Sequence, residues 1–318
     1  MNPFDEIIDQ MRVQSSLYAC FKFRAPWSVH FDSGEHARLV VVSQGSCWLQ
    51  WDGADEPAEV RAGTCLIVQP QVTFVLGDAP NRKAMACETL FPAPVFPIEY
   101  GGEGDLTEIV SGRFSFDPMA AEPLFRLMPP LVAFELGETD AALIGNTLHL
   151  MGSESSQADY GSGFVIDQLA NALFVQVLRV LCRQGDRTTT CWLAGLGDER
   201  LARVIQAVHA DLGRRWTVEE MAREANLSRS SFAALFKSVV GEAPLDYLTG
   251  WRIYRARMLL ATTDQSLMHI ANLVGYDSDI SLSRAFRRRT GVAPGQWRQQ
   301  AKGKRTVSVR EETALEPA

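Results

Sequence analysis

Between Leu17 and about Phe116, apolar residues come in short runs broken by turn residues. Leu39-Val40-Val41-Val42 and Cys47-Trp48-Leu49-Gln50-Trp51 flank a Ser43-Gln44-Gly45 turn. Asp52-Gly53 and Ala62-Gly63 are further turn signals, Leu66-Ile67-Val68 stops at Pro70, and Val72 to Leu76 stops at Gly77-Asp78. Strands this short and evenly spaced predict a small β-barrel or sandwich. From residue 118 to 195 the period lengthens. Ile166, Leu169, Ala170, Leu173, Phe174, Val177, Leu178 and Leu181 form one i, i+3, i+4 stripe, the mark of an amphipathic helix. Such a stripe needs burial, either against its own domain or against a second copy of the chain. Ser153 to Gly163 reads as a polar loop, Gly185 to Gly197 as a linker, and residues 1–15 as a short lead-in. Residues 301–318 lack an apolar pattern and are expected to be a disordered tail.

From Thr217 to Trp297 one short pattern occurs twice. The first copy carries Met221-Ala222, Ala225, Leu227, Phe232, Phe236, Gly241, Pro244 and Tyr247; the second carries Ile270-Ala271, Val274, Tyr276, Leu282, Phe286, Gly291, Pro294 and Trp297. The offset is 49 up to Leu227/Tyr276 and 50 from Phe232/Leu282 onward, so one residue is inserted where a turn tolerates it. A repeat at that period is a structural unit. Each unit predicts helix, tight turn, helix. Thr217-Val218-Glu219-Glu220 is a capping-box pattern, Ser228 is placed to cap the second helix, and Phe232 and Phe236 bury one face. In the second copy Gly275 falls at the turn and Leu282 and Phe286 form the buried face. This is the helix-turn-helix pattern, whose second helix enters the DNA major groove. Pro244 to Thr262, with Leu245, Leu248, Trp251, Ile253, Tyr254, Met258 and Leu259, predicts a connecting helix. Nearly twenty helical residues span about 30 Å, close to the roughly 34 Å between successive major grooves on one DNA face.

Ala222, Leu227-Ser228, Phe236-Lys237, Gly241 and Pro244, followed by Ile270-Ala271, Gly275-Tyr276, Phe286-Arg287, Gly291, Pro294 and Trp297-Arg298, resemble the DNA-binding domain of AraC/XylS-type transcription regulators. The resemblance covers about the last third of the chain and implies a cytoplasmic bacterial regulator of transcription. Pro26-Trp27, Gly45, Trp48-Leu49, Ala62-Gly63-Thr64 and Gln69-Pro70 resemble the cupin-type sensor domain of one AraC subgroup, as do Gly112-Arg113-Phe114 and Leu127-Met128-Pro129-Pro130-Leu131 more weakly. Two departures count against a cupin metal site: Gly63-Thr64 stands where cupins commonly have Gly-Asp, and Thr73-Phe74 stand near the place of a frequent His. No His-x-His occurs. The expected fold is α+β: a cupin-like β-barrel sensor at 1–117, a helical dimerisation and linker region at 118–195, and an all-α domain of two helix-turn-helix units at 196–300.

Charge sharpens this division. The 318 residues carry a net charge of −7, which by itself argues against a nucleic-acid binder. Residues 196–305, however, hold 18 Lys and Arg against 11 Asp and Glu, a balance of +7, and the rest holds 13 against 27, a balance of −14. Basic charge collects where phosphate contact requires it. No apolar run in the sequence approaches a membrane span, and the N-terminus lacks a signal pattern. Six cysteines without a CxxC pair fit a reducing cytosol.

The outward positions of the first recognition helix are Arg229, Ser230, Ala233, Ala234 and Lys237. The AraC resemblance places base contacts at Ser230, Ala233 and Ala234; alanine touches only a thymine methyl, so this helix would mainly position the protein. In the second helix the matching positions are Asp279, Ile280, Ser281 and Arg284, and Arg284 is the strongest base-reading candidate because Arg pairs bidentately with guanine. Arg287, Arg288 and Arg289 read as phosphate-facing or solvated. Cys20 and Cys87 could form a redox pair or hold a soft metal, with Lys22 near enough to lower the Cys20 pKa; the alternative is that both are small buried apolar residues. His30 and His36 lack ligand spacing. No catalytic residues, metal or cofactor are expected. The expected role is a transcription regulator whose N-terminal domain senses a small-molecule or redox signal. Its expected partners are double-stranded promoter DNA, RNA polymerase, a second copy of the chain and an unidentified small-molecule effector, with no membrane. The rivals are a cupin enzyme carrying a DNA-binding module, disfavoured by the missing His motif, and a pure oligomerisation domain.

Overall fold

In the computed structural model, residues 14–91, 98–126, 128–157, 159–184 and 192–301 are described. Two compact units divide the chain, one spanning Glu6–Gly197 and one beginning at Asp198. Of the lead-in expected at 1–15 and the tail expected at 301–318, residues 1–13 and 302–318 lie outside the described residues; Gln14 and Ser15 instead begin the first strand, and Ala301 ends the last helix.

The first unit contains β1 (Gln14–Arg24), β2 (Ser28–Asp32), β3 (Ala37–Gln44), β4 (Ser46–Trp51), β5 (Ala58–Arg61), β6 (Thr64–Val68), β7 (Thr73–Gly77), β8 (Met85–Ala86), β9 (Ile98–Gly101), β10 (Leu106–Ser115) and β11 (Leu131–Glu135). They form a six-stranded sheet in the order β11-β6-β3-β10-β1-β9 and a five-stranded sheet in the order β5-β4-β7-β2-β8. The two-residue period of a strand sends Ala19, Phe21 and Phe23 of β1 and Val40 and Val42 of β3 to one side. There they share a core with Val29, Phe31, Leu49, Val60, Phe74 and Leu76 of the other sheet. Phe31 stacks on Phe74 and Phe23 on Trp27, at centroid distances of 5.1 and 4.4 Å. Two sheets around one core make the barrel of the cupin-like fold.

The helices of this unit are α1 (Cys87–Leu90), α2 (Pro118–Phe125), α3 (Glu138–Gln157), α4 (Ser162–Gln184) and α5 (Trp192–Gly197). Region 118–195 is thus not wholly helical: the run Leu131-Val132-Ala133-Phe134-Glu135 is apolar and too short for a stable helix, and it pairs antiparallel with β6. The predicted polar loop at 153–163 is partly helix, 153–157 ending α3 and 162–163 starting α4, and the second half of the predicted linker is α5, with Leu193 fully buried. The first half, 185–191, lies outside the described residues.

The apolar stripe of α4 is consumed within its own unit. Ala170, Leu173, Phe174, Val177, Leu178 and Leu181 are buried. Phe174 meets Phe114 and Phe116 at 5.6 and 5.1 Å on the outer face of the larger sheet, and α3 lies alongside through Thr147–Gln176 and Arg183–Asp140. The reading of these stripe residues as a dimer seam is therefore corrected: their partner is the sheet. The expectation about apolar runs is corrected too, because Ser162–Arg183 is long and apolar enough to cross a membrane by length and composition; burial of its stripe here explains that composition.

The second unit is all-α: α6 (Glu199–Ala210), α7 (Val218–Glu224), α8 (Arg229–Val240), α9 (Pro244–Thr262), α10 (Leu267–Leu273) and α11 (Asp279–Thr290), with a further helix over 294–301. Ile253, Ala256 and Leu260 of α9 bury against Ile270, Ala271, Val274, Leu282 and Phe286. At its other end, Tyr247 and Trp251 pack with Phe236 and His209.

Candidate nucleic-acid interface

The two repeats use the same kinds of cap and turn. The Thr217 hydroxyl accepts from the Glu220 amide at 3.2 Å, and the Glu220 carboxylate accepts from the Thr217 amide at 2.9 Å, completing the capping box that starts α7. Ser228 caps α8 and Ser278 caps α11, each accepting from the amide three residues on. Both helices end on a left-handed glycine, Gly241 and Gly291. Each buries one aliphatic-aromatic face, Phe232 and Phe236 or Leu282 and Phe286, which leaves the opposite face to solvent. The tight turns reach positive φ at Asn226 and Gly275, equivalent positions of the repeat.

On α8, Arg229, Ser230, Ala234 and Lys237 are exposed and Ala233 is half-buried. Arg229 is held by Glu219 at 2.9 Å. On α11, Ile280, Ser281, Arg284, Arg287 and Arg288 are exposed and Asp279 is half-buried. Ser281 is engaged by Ser278 at 2.9 Å, and the Asp279 carboxylate accepts from the Ile280 amide at 2.9 Å, so both serve the start of the helix before any ligand arrives. Arg289 donates to the Asp246 carbonyl at 2.8 Å, tying α11 to the start of α9; it is a structural contact, not a freely solvated charge. The offset of 50 in this half of the repeat places Ser283 opposite Ala233, a position that sequence reasoning passed over although the offset was in hand.

Sequence reasoning also missed Arg252. From α9, its Nε donates to the Leu212 carbonyl at 2.8 Å and its Nη2 to the Arg214 carbonyl at 2.7 Å, and its guanidinium stands 5.7 Å from the Tyr276 ring. One side chain thus joins the segment before the first unit, the connecting helix and the turn of the second unit. Arg215 pairs with Asp277 across the same seam. Gly213 and Gly275 pass close enough that a Cβ on Gly275 would lie 2.7 Å from the Gly213 carbonyl. These contacts join the segment that leads into the first unit to the turn of the second.

In the barrel, the strand period separates the two candidate thiols. Cys87 belongs to the shared core with Ala19 and Phe21, whereas Cys20 alternates with those residues and faces the other side of the sheet. A Cys20–Cys87 disulfide would have to pass through the sheet, so the pair is corrected. The expected lowering of the Cys20 pKa is corrected as well: burial and then Glu108 push that thiol up, against the weaker opposite effect of Lys22. Burial likewise pushes Cys87 up despite Arg38 nearby. His30 is on the outward face of β2, and His36 bonds Ser115 at 2.9 Å. Among the described residues no three His, Cys, Asp or Glu side chains cluster as metal ligands.

Residues 2–183 match the family described as cupin, and residues 221–300 match a helix-turn-helix domain. A putative AraC-like transcription regulator from Streptomyces lividans is 33% identical over 298 residues, 94% of this chain and 98% of that protein. The transcriptional regulator AlkR from Acinetobacter baylyi is 29% identical over 310 residues, 95% of this chain and 100% of its own. Among solved structures, the DNA-binding domain of the global transcriptional factor AdpA, in complex with a target DNA, is 33% identical, covering 34% of this chain and 98% of that one at a TM-score of 0.33. Similarity that runs the length of both chains, over a barrel and two helix-turn-helix units, makes this protein a member of the AraC-like family of DNA-binding transcription regulators, with a cupin domain ahead of its helix-turn-helix domain.

Proposed function

We propose that the protein grips promoter DNA in two adjacent major grooves and that its cupin domain transmits a small-molecule signal to that grip. The observation that carries the two-groove reading is the Arg252 junction, which ties the segment leading into the first unit to the connecting helix beside the turn of the second. The 19 residues of α9 span about 28 Å, compatible with roughly 34 Å between grooves. The role is regulatory rather than catalytic, and its place is the cytoplasm, where promoter DNA and RNA polymerase are its partners. In this division of labour, residues 1–117 sense, 118–195 dimerise and link, and 196–300 bind DNA.

Selection of binding sites from random DNA by the full chain tests the reading. The recovered sites should contain two motifs about one helical turn apart, and affinity should fall steeply with salt because phosphate contacts release counterions. Arg284→Ala should lose preference at one base position, a guanine, by about 1–3 kcal/mol. Lys237→Ala should weaken all sequences alike and flatten the salt slope. Unchanged base preference in Arg284→Ala would remove that residue as a reader; a single unpaired motif would remove the two-groove geometry.

The dimer moves to another face. Leu143 and Leu150, seven apart on α3, are 49% and 54% exposed, and Phe164 at the start of α4 is 70% exposed. Apolar side chains left open on neighbouring helices support a second copy of the chain as their cover. Leu143→Glu with Leu150→Glu should give a folded monomer by sedimentation. Leu173→Glu with Val177→Glu, on the buried stripe, should instead unfold the domain. A double Leu143/Leu150 variant that still sediments as a dimer excludes this face.

A further inference from the structure

One exposed side chain on α11 has no role in holding the fold. Ile280, the second residue of that helix, is 61% exposed; among the described residues of the DNA-binding unit, the other exposed large apolar side chains, Leu245, Met268 and Leu273, lie between 44% and 48%. A helix turns about 100° per residue, so Ile280 and Arg284 stand one above the other, on the side of α11 away from the buried Leu282 and Phe286. The polar side chains on either side of Ile280 are already engaged. The Asp279 carboxylate accepts from the Ile280 amide at 2.9 Å, and the Ser281 hydroxyl lies 2.9 Å from that of Ser278, the N-cap. The N-terminal residues of a recognition helix are the ones that meet base edges. There, α11 presents an alkyl group.

That choice has a cost and a use. Arg284, Arg287 and Arg288 are exposed on the same helix. A further cation beside them would strengthen phosphate contact; a branched alkyl group does not. Left in water, it forgoes the gain of burial. In a helix, however, a β-branched side chain has essentially one χ1 rotamer, so its methyl groups are held in place before any ligand arrives. The apolar feature that the major groove offers to such a group is the C5-methyl of thymine. Helix residues three apart read successive base pairs in zinc fingers. Ile280 and Arg284 are four apart, about 5–6 Å between Cβ atoms, so they reach neighbouring base pairs.

We propose that Ile280 reads a thymine methyl at the base pair next to the guanine read by Arg284, so that the half-site under the second unit holds adjacent T·A and G·C pairs. The proposal deepens the groove-binding reading above and rests on it. The first unit has no matching pair. By the offset of 50 its equivalents are Ser230 and Ala234, and the Ser230 hydroxyl is 3.3 Å from that of Ser228, which caps its own helix. The doublet therefore belongs to one half-site and gives the whole site a direction.

The test is competition binding of the full chain to its selected site, with each thymine in turn replaced by deoxyuridine, which lacks only the C5-methyl. One replacement, beside the guanine whose preference Arg284→Ala abolishes, should weaken binding about fourfold, the worth of one buried methyl group. Ile280→Ala should bind the thymine and uracil sites equally. It should also unfold at the wild-type temperature, because the atoms removed face solvent. With a C·G pair at the same position, 5-methylcytosine should bind wild type about fourfold better than cytosine does, and Ile280→Ala should not distinguish them. If no thymine is sensitive to its methyl while Arg284→Ala still abolishes the guanine preference, the groove helix stands and the role of Ile280 is overturned. If neither residue affects base preference, both readings fall. Methyl sensitivity that persists in Ile280→Ala overturns the proposal, because the methyl then acts through DNA shape or another side chain. An Ile280→Ala protein that unfolds far earlier than wild type would make the side chain structural and overturn it as well.

Discussion

Gly275→Ala should destabilise the DNA-binding unit by about 2–5 kcal/mol, whereas Gly291→Ala should cost only about 1–2 kcal/mol. Both glycines are left-handed, with φ of +81° and +78°, so each alanine bears the same backbone penalty. They differ in what the new methyl meets. At Gly291 nothing lies within 4 Å of the added Cβ; at Gly275 it would lie 2.5 Å from Arg252 Nη2, 2.7 Å from Arg252 Cζ and 2.7 Å from the Gly213 carbonyl. The guanidinium cannot simply swing aside, because it is holding the Leu212 and Arg214 carbonyls, and the third neighbour is backbone. The substitution therefore opens the seam between the two recognition units. Thermal unfolding should show a drop of roughly ten degrees or more for Gly275→Ala, and affinity for a paired site should fall more than affinity for either half. Equal losses at the two glycines would mean that backbone conformation, not the Arg252 junction, is what matters.

Lowering the pH should weaken the same unit through one half-buried histidine. His209, on α6 ahead of the first repeat, lies 2.8 Å from the Tyr247 hydroxyl and packs edge-on against the Trp251 ring at 4.3 Å. Burial pushes its pKa down to about 3, while in the unfolded chain it titrates near 6.5. Between those values the unfolded chain binds a proton that the folded one refuses. The stability contribution is complete above about pH 6.5, declines as the pH falls, and stops declining below the folded pKa. At pH 4.5 the loss is on the order of 2–3 kcal/mol. His209→Gln can keep a hydrogen bond to Tyr247 without titrating, so its stability should depend less on pH by about that amount. Asp198 and Glu220, held low by their partners, also lose stability on acidification, but they are common to both proteins and cancel in the comparison. Parallel curves for wild type and variant between pH 7.5 and 4.5 would show that His209 accepts its proton in the folded state.

Much of the DNA-binding half was legible in the residues because its determinants are local. Caps act over three residues and the buried faces recur every three or four. Thr217 with Glu220, Ser228, Gly241 and the helix Pro244–Thr262 each stand where spacing put them. Arg252 was not legible, because its partners lie 40 and 38 residues away. Arg289 was misread for the same reason: a charged residue in a basic run looks solvated until the Asp246 carbonyl comes beside it.

In the barrel half, spacing alone predicted short strands but not which faces meet. The stripe on α4 is a true amphipathic pattern, yet periodicity states only that a face is covered, and the sheet with Phe114 covers it. Cys20 lies within β1 and Cys87 directly follows β8, and only alternation within a paired β1 sets them on opposite sides. Arg38 and Arg113 are 75 positions apart in the chain, and nothing near either one announces the other; the β3–β10 register makes them neighbours. The sequence by itself determined the repeats, their caps, their turns and the basic half of the chain, since these depend on residues within one or two helical turns. Tertiary structure decided which apolar face is spent, which thiols are kept apart and which arginines stand side by side, since each depends on the pairing of strands and helices distant in the chain.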